Sequence, residues 1–241
     1  MRLFRHLTAA QRECGVKPVS DDKLRRSALR TLIALPVALA GAVAVTRSAK
    51  ATPKTVPPSL QDTVARLTAQ ANIMDARVQI TEVLHDYARA NDRVDEALFR
   101  SCFWPDSTHQ HGSFKGKSQD FATRAIGIVS KLRTCSHLIT NVSIDIVGEK
   151  AVSECYFLAH HRRTKKSAEG EEDWFLKGRY LDRFEKRDGV WKIAHRRGLH
   201  DFARTFDPAD TSLDAAPAEQ LSVHSTDDPL YAMLADLHAG R

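Results

Sequence analysis

Asp92, His137 and Arg196 are the side chains of this sequence whose types best suit proton transfer at neutral pH. A neutral imidazole, with an unperturbed pKa of about 6.5, is a suitable general base. A carboxylate that accepts the other ring N–H fixes the tautomer and stabilises the imidazolium. A guanidinium can receive the charge that develops on a departing hydroxide, halide or enolate oxygen. Together they suit proton abstraction and elimination from a mostly apolar small molecule, with neither a metal nor an organic cofactor. Each also has a plainer reading. Asp92 falls where a helical pattern breaks and can cap it, His137 opens a strand, and Arg196 forms a basic pair with Arg197 at a strand end.

The elements that must position them follow from hydrophobic spacing. From Leu60 to Phe103 the period is helical, with Ile73, Val78, Ile80, Val83, Leu84 and Tyr87 before a break at Asn91-Asp92. Trp104-Pro105-Asp106 ends this part, because proline cannot continue a helix. A short strand around Ser107–His111, turn points at Gly112 and Gly116, and a helix over Ser118–Leu132 come next. The period then changes to two. Long strands are expected at Leu138–Ile146, Val152–His161, Trp174–Phe184 and Val190–Leu199, the last pair joined by the hairpin signal Asp188-Gly189. Arg162–Glu172 is a charge run that reads as a solvated loop, and 203–241 shows no strong period. By alternation Arg197 shares a face with Trp191 and Ile193, and Arg196 the other; one β-bulge would exchange them. Helices followed by long strands give an α+β fold, a cone-shaped barrel of curved antiparallel sheet packed with N-terminal helices.

The chain of 241 residues carries a formal charge of +6. Residues 1–51 hold 10 Lys plus Arg and 3 Asp plus Glu, leaving 26 basic and 27 acidic residues from 52 onward, a net of −1. The basic excess is therefore terminal, and nucleic-acid binding by the folded part loses its electrostatic support. Arg25-Arg26 precedes an uncharged, Ala-rich run from Thr31 to Thr46, and Ala49-Lys50-Ala51 follows as a small-x-small cleavage site. This resembles a twin-arginine export signal, which would place the mature protein in a bacterial periplasm or beyond; a retained anchor is the other reading. The expected organisation is signal 1–51, a Pro-rich linker and the start of the first helix over 52–70, a domain over 71–205 and a tail over 206–241. After cleavage Cys102, Cys135 and Cys155 remain. They lack the paired spacings of a zinc site and read as small buried residues, one pair of which could oxidise after export.

Tyr87 and Asp92 on a helix, then Trp104, then His137-Leu-Ile-Thr-Asn141, then the hairpin Lys186-Arg187-Asp188-Gly189-Val190-Trp191-Lys192 running into Arg196, resemble the SnoaL-like family of the nuclear-transport-factor-2-like superfamily. The resemblance covers roughly residues 70–205, and Asp227-Asp228-Pro229-Leu230-Tyr231 is similar to an ending found in this group. It implies kinship with lindane dehydrochlorinase, scytalone dehydratase and bile-acid dehydratase. It further implies an Asp92–His137 pair, Arg196 assisting the leaving group, Trp104 and Tyr87 in the pocket, and a homo-oligomer of two or three copies. Tyr156 and His111 complete the residues assigned to substrate contact, and no metal is expected. Asn91 stands where scytalone dehydratase has a tyrosine, so that enzyme's acid system is not reproduced. His109, His111, His160, His161, His195 and His200 are further cavity candidates. His109 and His111 share a strand face, but no carboxylate or Cys stands at ligand spacing. The Asn141-Val-Ser143 sequon carries no weight in a bacterial exporter.

The leading expectation is an exported, cofactor-independent lyase, a dehydratase or dehydrohalogenase, acting on a hydrophobic ring. A non-catalytic ligand-binding domain and a structural subunit are the alternatives, since fold does not dictate function.

Overall fold

Ser59 opens the first helix with a capping box: its hydroxyl accepts the Asp62 N–H at 3.1 Å, and the Asp62 carboxylate accepts the Ser59 N–H at 3.2 Å. The computed structural model describes residues 59–165, 169–208 and 215–240; the expected export signal and cleavage site lie outside the described residues. Helix α1 runs Leu60–Asp92, α2 Glu96–Ser101, β1 Phe103–His111, β2 Phe114–Lys117, α3 Ser118–Val129, β3 Thr134–Val147, β4 Lys150–Thr164, β5 Glu171–Arg187, β6 Val190–Phe206, and α4 Pro229–Ala239. Among the described residues no helix is long and apolar enough to cross a membrane.

The six strands form one open sheet in the order β2-β1-β6-β5-β4-β3, so β2 and β3 are edges and the expected barrel is not closed. The ladders β6-β5-β4-β3 and β1-β2 are antiparallel, but β1 runs parallel to β6. The fold is thus mixed α+β, with helices packed on one sheet face. Asp188 and Gly189 both take positive φ (50° and 84°) at the β5–β6 turn, the two left-handed positions of a type I′ hairpin.

Alternation sets the two faces. Ala151, Ser153, Cys155, Phe157, Ala159 and His161 of β4 point inward, as do Leu176, Tyr180, Asp182 and Phe184 of β5. They meet Ile80, Leu84 and Tyr87 of α1 and Phe121 of α3 in one core. Each such aliphatic side chain contributes about 1.5–3 kcal/mol on burial. Ser107, His109, Ser153, His161, Asp182 and Arg196 are buried in this interior too. So many polar groups inside are costly unless partnered or used.

Four expectations change. Phe103 to Asp106 belong to β1, not to the helical part: the β1–β6 ladder skips from Phe103↔Ile193 to Thr108↔His195, so Pro105, which has no N–H to donate, lies in the gap. Gly112 turns the chain, but Gly116 lies within the short strand β2 rather than at a turn. Both ends of the charge run are strand: Arg162 pairs across to Asp173 and Arg163 to Glu172, so opposite charges on adjacent strands support the ladder. The tail contains α4, whose start is capped by the Asp228 carboxylate accepting the Leu230 N–H at 3.1 Å.

Candidate active site

Asp92 is the last residue of α1, and the carboxylate at that end projects onto the start of β3. Its Oδ1 accepts the His137 Nδ1–H at 2.7 Å and its Oδ2 accepts the His137 backbone N–H at 3.0 Å. This two-point clamp fixes both ring and backbone. It also fixes the tautomer, leaving the Nε2 lone pair without a protein partner among the described residues. The pair is well sheltered, with side-chain exposures of 8% for His137 and 16% for Asp92. The Cys135 thiol lies 3.6 Å from both Asp92 Oδ1 and His137 Nδ1. Burial, and then the neighbouring Asp92 charge, hold that thiol protonated far above its usual range.

Arg196 takes a different position. A bulge at Ala194, between Phe184↔Ile193 and Arg183↔His195, shifts the alternation of β6, so Arg196 rather than Arg197 joins Trp191 and Ile193 inside. Its Nε and Nη2 each donate to one Asp182 oxygen at 2.7 Å, with both side chains fully buried. Its guanidinium stacks on Tyr87 at 4.0 Å and Tyr180 at 4.3 Å. Burial alone would favour losing the proton, but the paired Asp182 carboxylate outweighs it and keeps Arg196 charged. Nη1 has no partner. Tyr87 and Asp92 are five residues apart on α1, about 7.5 Å of helical rise. Arg196 therefore sits beneath the pair rather than against it.

The remaining site candidates divide by face. Tyr87 is buried among Phe99, Phe103 and Tyr180, and burial raises its phenol above the ordinary value. His111 reaches inward over Gly198, where a Cβ would come within 2.6 Å of its ring, and its Nε2 meets His200 Nε2 at 3.0 Å. Burial lowers His111 to about 4. Trp104 and Tyr156 turn away from the interior. Trp104 donates its indole N–H to the Glu185 carbonyl at 3.0 Å, under Arg187 and Lys192. Through the ladders Glu185 aligns with Lys150 and Val147, ten residues from His137 on β3, or about 33 Å along the strand. Tyr156 lies on the outer face of β4 under Lys177 and Arg179. The assignment of both to the pocket is not reproduced: Trp104 lies one step out of the Phe103 register, and Tyr156 alternates with the inward Cys155 and Phe157.

Two features lay outside the ranked sequence candidates. His161 stands across from Cys135 in the β3–β4 ladder, its ring 5.2 Å from that of His137, with both nitrogens buried and unpartnered. Burial lowers it to about 3. His224, from the tail, faces the Asp92 carbonyl with Nδ1 at 2.7 Å and the Val129 carbonyl with Nε2 at 2.9 Å. Arg93–Asp228 at 3.0 Å and the Tyr231 hydroxyl donating to Asp95 at 2.8 Å complete a strap over the end of α1. The Asp227–Tyr231 stretch noted in the sequence is part of that strap. Cys102, Cys135 and Cys155 are all buried and free of disulfides; burial pushes Cys102 and Cys155 up to about 12.

A family model for the SnoaL-like domain matches residues 72–197. The chain belongs to the SnoaL-like domain family. Solved structures agree with that fold. LinA aligns with a TM-score of 0.53 at 20% identity, over 58% of this chain and 98% of LinA. Hexachlorocyclohexane dehydrochlorinase LinA type 2 aligns with 0.53 at 19% identity, over 59% and 99%. The LinA type 3 enzyme of Novosphingobium barchaimii LL02 gives 0.52 at 18% identity, over 57% and 94%. No curated protein matches the chain. The SnoaL-like domain ends before the tail strap, so His224 and Tyr231 brace the site from beyond the matched span.

Proposed function

We propose that this SnoaL-like protein is an exported lyase that removes a proton and a leaving group from a hydrophobic cyclic small molecule. The observation that carries the reading is the Asp92–His137 clamp, with Nδ1–H bound at 2.7 Å and Nε2 left as the base. His137 Nε2 takes the proton from a ring carbon. Asp92 stabilises the imidazolium that forms, and the C–X bond releases its electron pair to hydroxide or halide as the ring gains a double bond. Arg196 supplies positive charge near the leaving group through Nη1, the guanidinium nitrogen that Asp182 does not engage. The twin-arginine pattern at Arg25-Arg26 and the Ala49-Lys50-Ala51 motif support export. Exposed Leu138, Val152 and Leu158 on the outer sheet face support assembly into two or three copies.

The test is turnover of hydroxylated and halogenated alicyclic substrates, followed by release of water or halide. His137→Gln and Asp92→Asn are each expected to lower the rate about 1,000-fold, with the fold intact by circular dichroism. Ligand binding that survives in wild type and variants with no turnover in any of them would instead assign a binding domain.

A further inference from the structure

The β3–β4 ladder assembles a donor set that the sequence spacing does not announce. Cys135 lies directly opposite His161, and His137 follows two residues along on the same face. One donor atom from each of the three falls within 4.8 Å of the others. His161 is 9% exposed, and both of its ring nitrogens are buried without a hydrogen-bond partner among the described residues. A buried imidazole left without a hydrogen bond is costly, and a ligand that uses its lone pair removes the cost. His137 has Nδ1, 3.6 Å from the Cys135 sulfur, committed to Asp92, so Nε2 is the nitrogen it can offer, with the Cys135 side chain turned towards it. A carboxylate behind a histidine is the usual brace of a metal-bound imidazole.

We propose that Cys135, His137 and His161 bind a soft divalent metal ion, zinc above all, braced by Asp92. A tetrahedral zinc ion holds sulfur at about 2.3 Å and nitrogen at about 2.0–2.1 Å. Donors spread over as much as 4.8 Å must therefore draw together by side-chain rotation. One thiolate and two imidazoles favour zinc over magnesium or calcium. Binding converts the Cys135 thiol to thiolate with its proton released to water, and leaves the fourth position for a water molecule. It also occupies His137 Nε2, so a chain carrying the ion cannot use that nitrogen as a base. Zinc is thus an inhibitor of any proton abstraction here. The binding itself does not depend on whether the site turns over a substrate.

The experiment uses the full chain, freed of metal and titrated with cobalt(II) as a spectroscopic stand-in and with zinc against a chelating indicator. One ion per chain and a thiolate-to-cobalt charge-transfer band are expected. Cys135→Ser removes the band and His161→Gln weakens zinc binding at least about tenfold, while Asp92→Asn weakens it about 10–100-fold. Cys102→Ser keeps the band. A wild-type spectrum without the band overturns the proposal even if a variant fails to fold. So does a band that persists in Cys135→Ser, or zinc affinity unchanged in folded His161→Gln. None of these outcomes touches the elimination reading, which is tested by turnover in metal-free buffer.

Discussion

Arg196 and Asp182 form a closed unit: two 2.7 Å hydrogen bonds, no exposure on either side chain, and tyrosine rings against the guanidinium. Such a pair gains little net stability, since desolvation offsets the attraction, but breaking it on one side leaves an uncompensated interior charge. Arg196→Gln is therefore expected to destabilise the fold by about 3–5 kcal/mol, read by urea unfolding. The double substitution Arg196→Met with Asp182→Leu should recover most of that loss and still lack the charge proposed to meet the leaving group. A single variant within about 0.5 kcal/mol of wild type, as a surface change would be, contradicts the sealed geometry.

At the scale of elements, one residue and one strap decide the site. The bulge at Ala194 turns Arg196 inward and sends Arg197 to solvent. The strap ties the tail to the end of α1 through His224, Asp228 and Tyr231. Asp92 stands where that helix stops, so its carboxylate is only as well placed as the last turn that carries it. His224→Ala removes two contacts to carbonyls and is expected to cost about 1–3 kcal/mol. Amide exchange at Asn91–Asp95 should quicken and turnover should fall several-fold without loss of ligand binding. Unchanged exchange there would show the strap to be idle.

For the molecule as a whole, the interior stores neutral histidines. Burial lowers His109 to about 2, His161 to about 3 and His111 to about 4. The unfolded chain, with imidazoles near about 6.5, binds more protons than the native state below that pH. Their contribution is complete above about pH 6.5 and is lost as the pH falls towards the folded-state values. Each can add up to about 1.4 kcal/mol per pH unit to the acid slope. Unfolding free energies measured between pH 7 and 4.5 should fall steeply, and less so in His109→Phe, which keeps the stacking on Phe121. An equal slope in both proteins would mean that His109 is protonated in the native state. Zinc bound at the proposed cluster would act in the opposite sense, stabilising the folded chain in proportion to its concentration.

The sequence alone determined the class of the fold, because a helical period over Leu60–Asp92 and a period of two from Leu138 onward are local facts of side-chain placement. It also determined the Asp92–His137 candidate pair, since a helix end and a strand start are where such groups can meet, and the family resemblance named both positions. The tertiary structure decided what depends on register. Whether Arg196 or Arg197 turns inward hung on one bulge, which alternation cannot foresee. Trp104 and Tyr156 turned outward because period two separates neighbours to opposite faces, while composition marks only that they are aromatic. The short strand β2 was hidden by a glycine within it, Gly116, and α4 in a tail held by contacts to α1. His161 became notable only when pairing set it opposite Cys135, a partner distant in sequence. Spacing along the chain records local conformation; nearness across a sheet is recorded only in the fold.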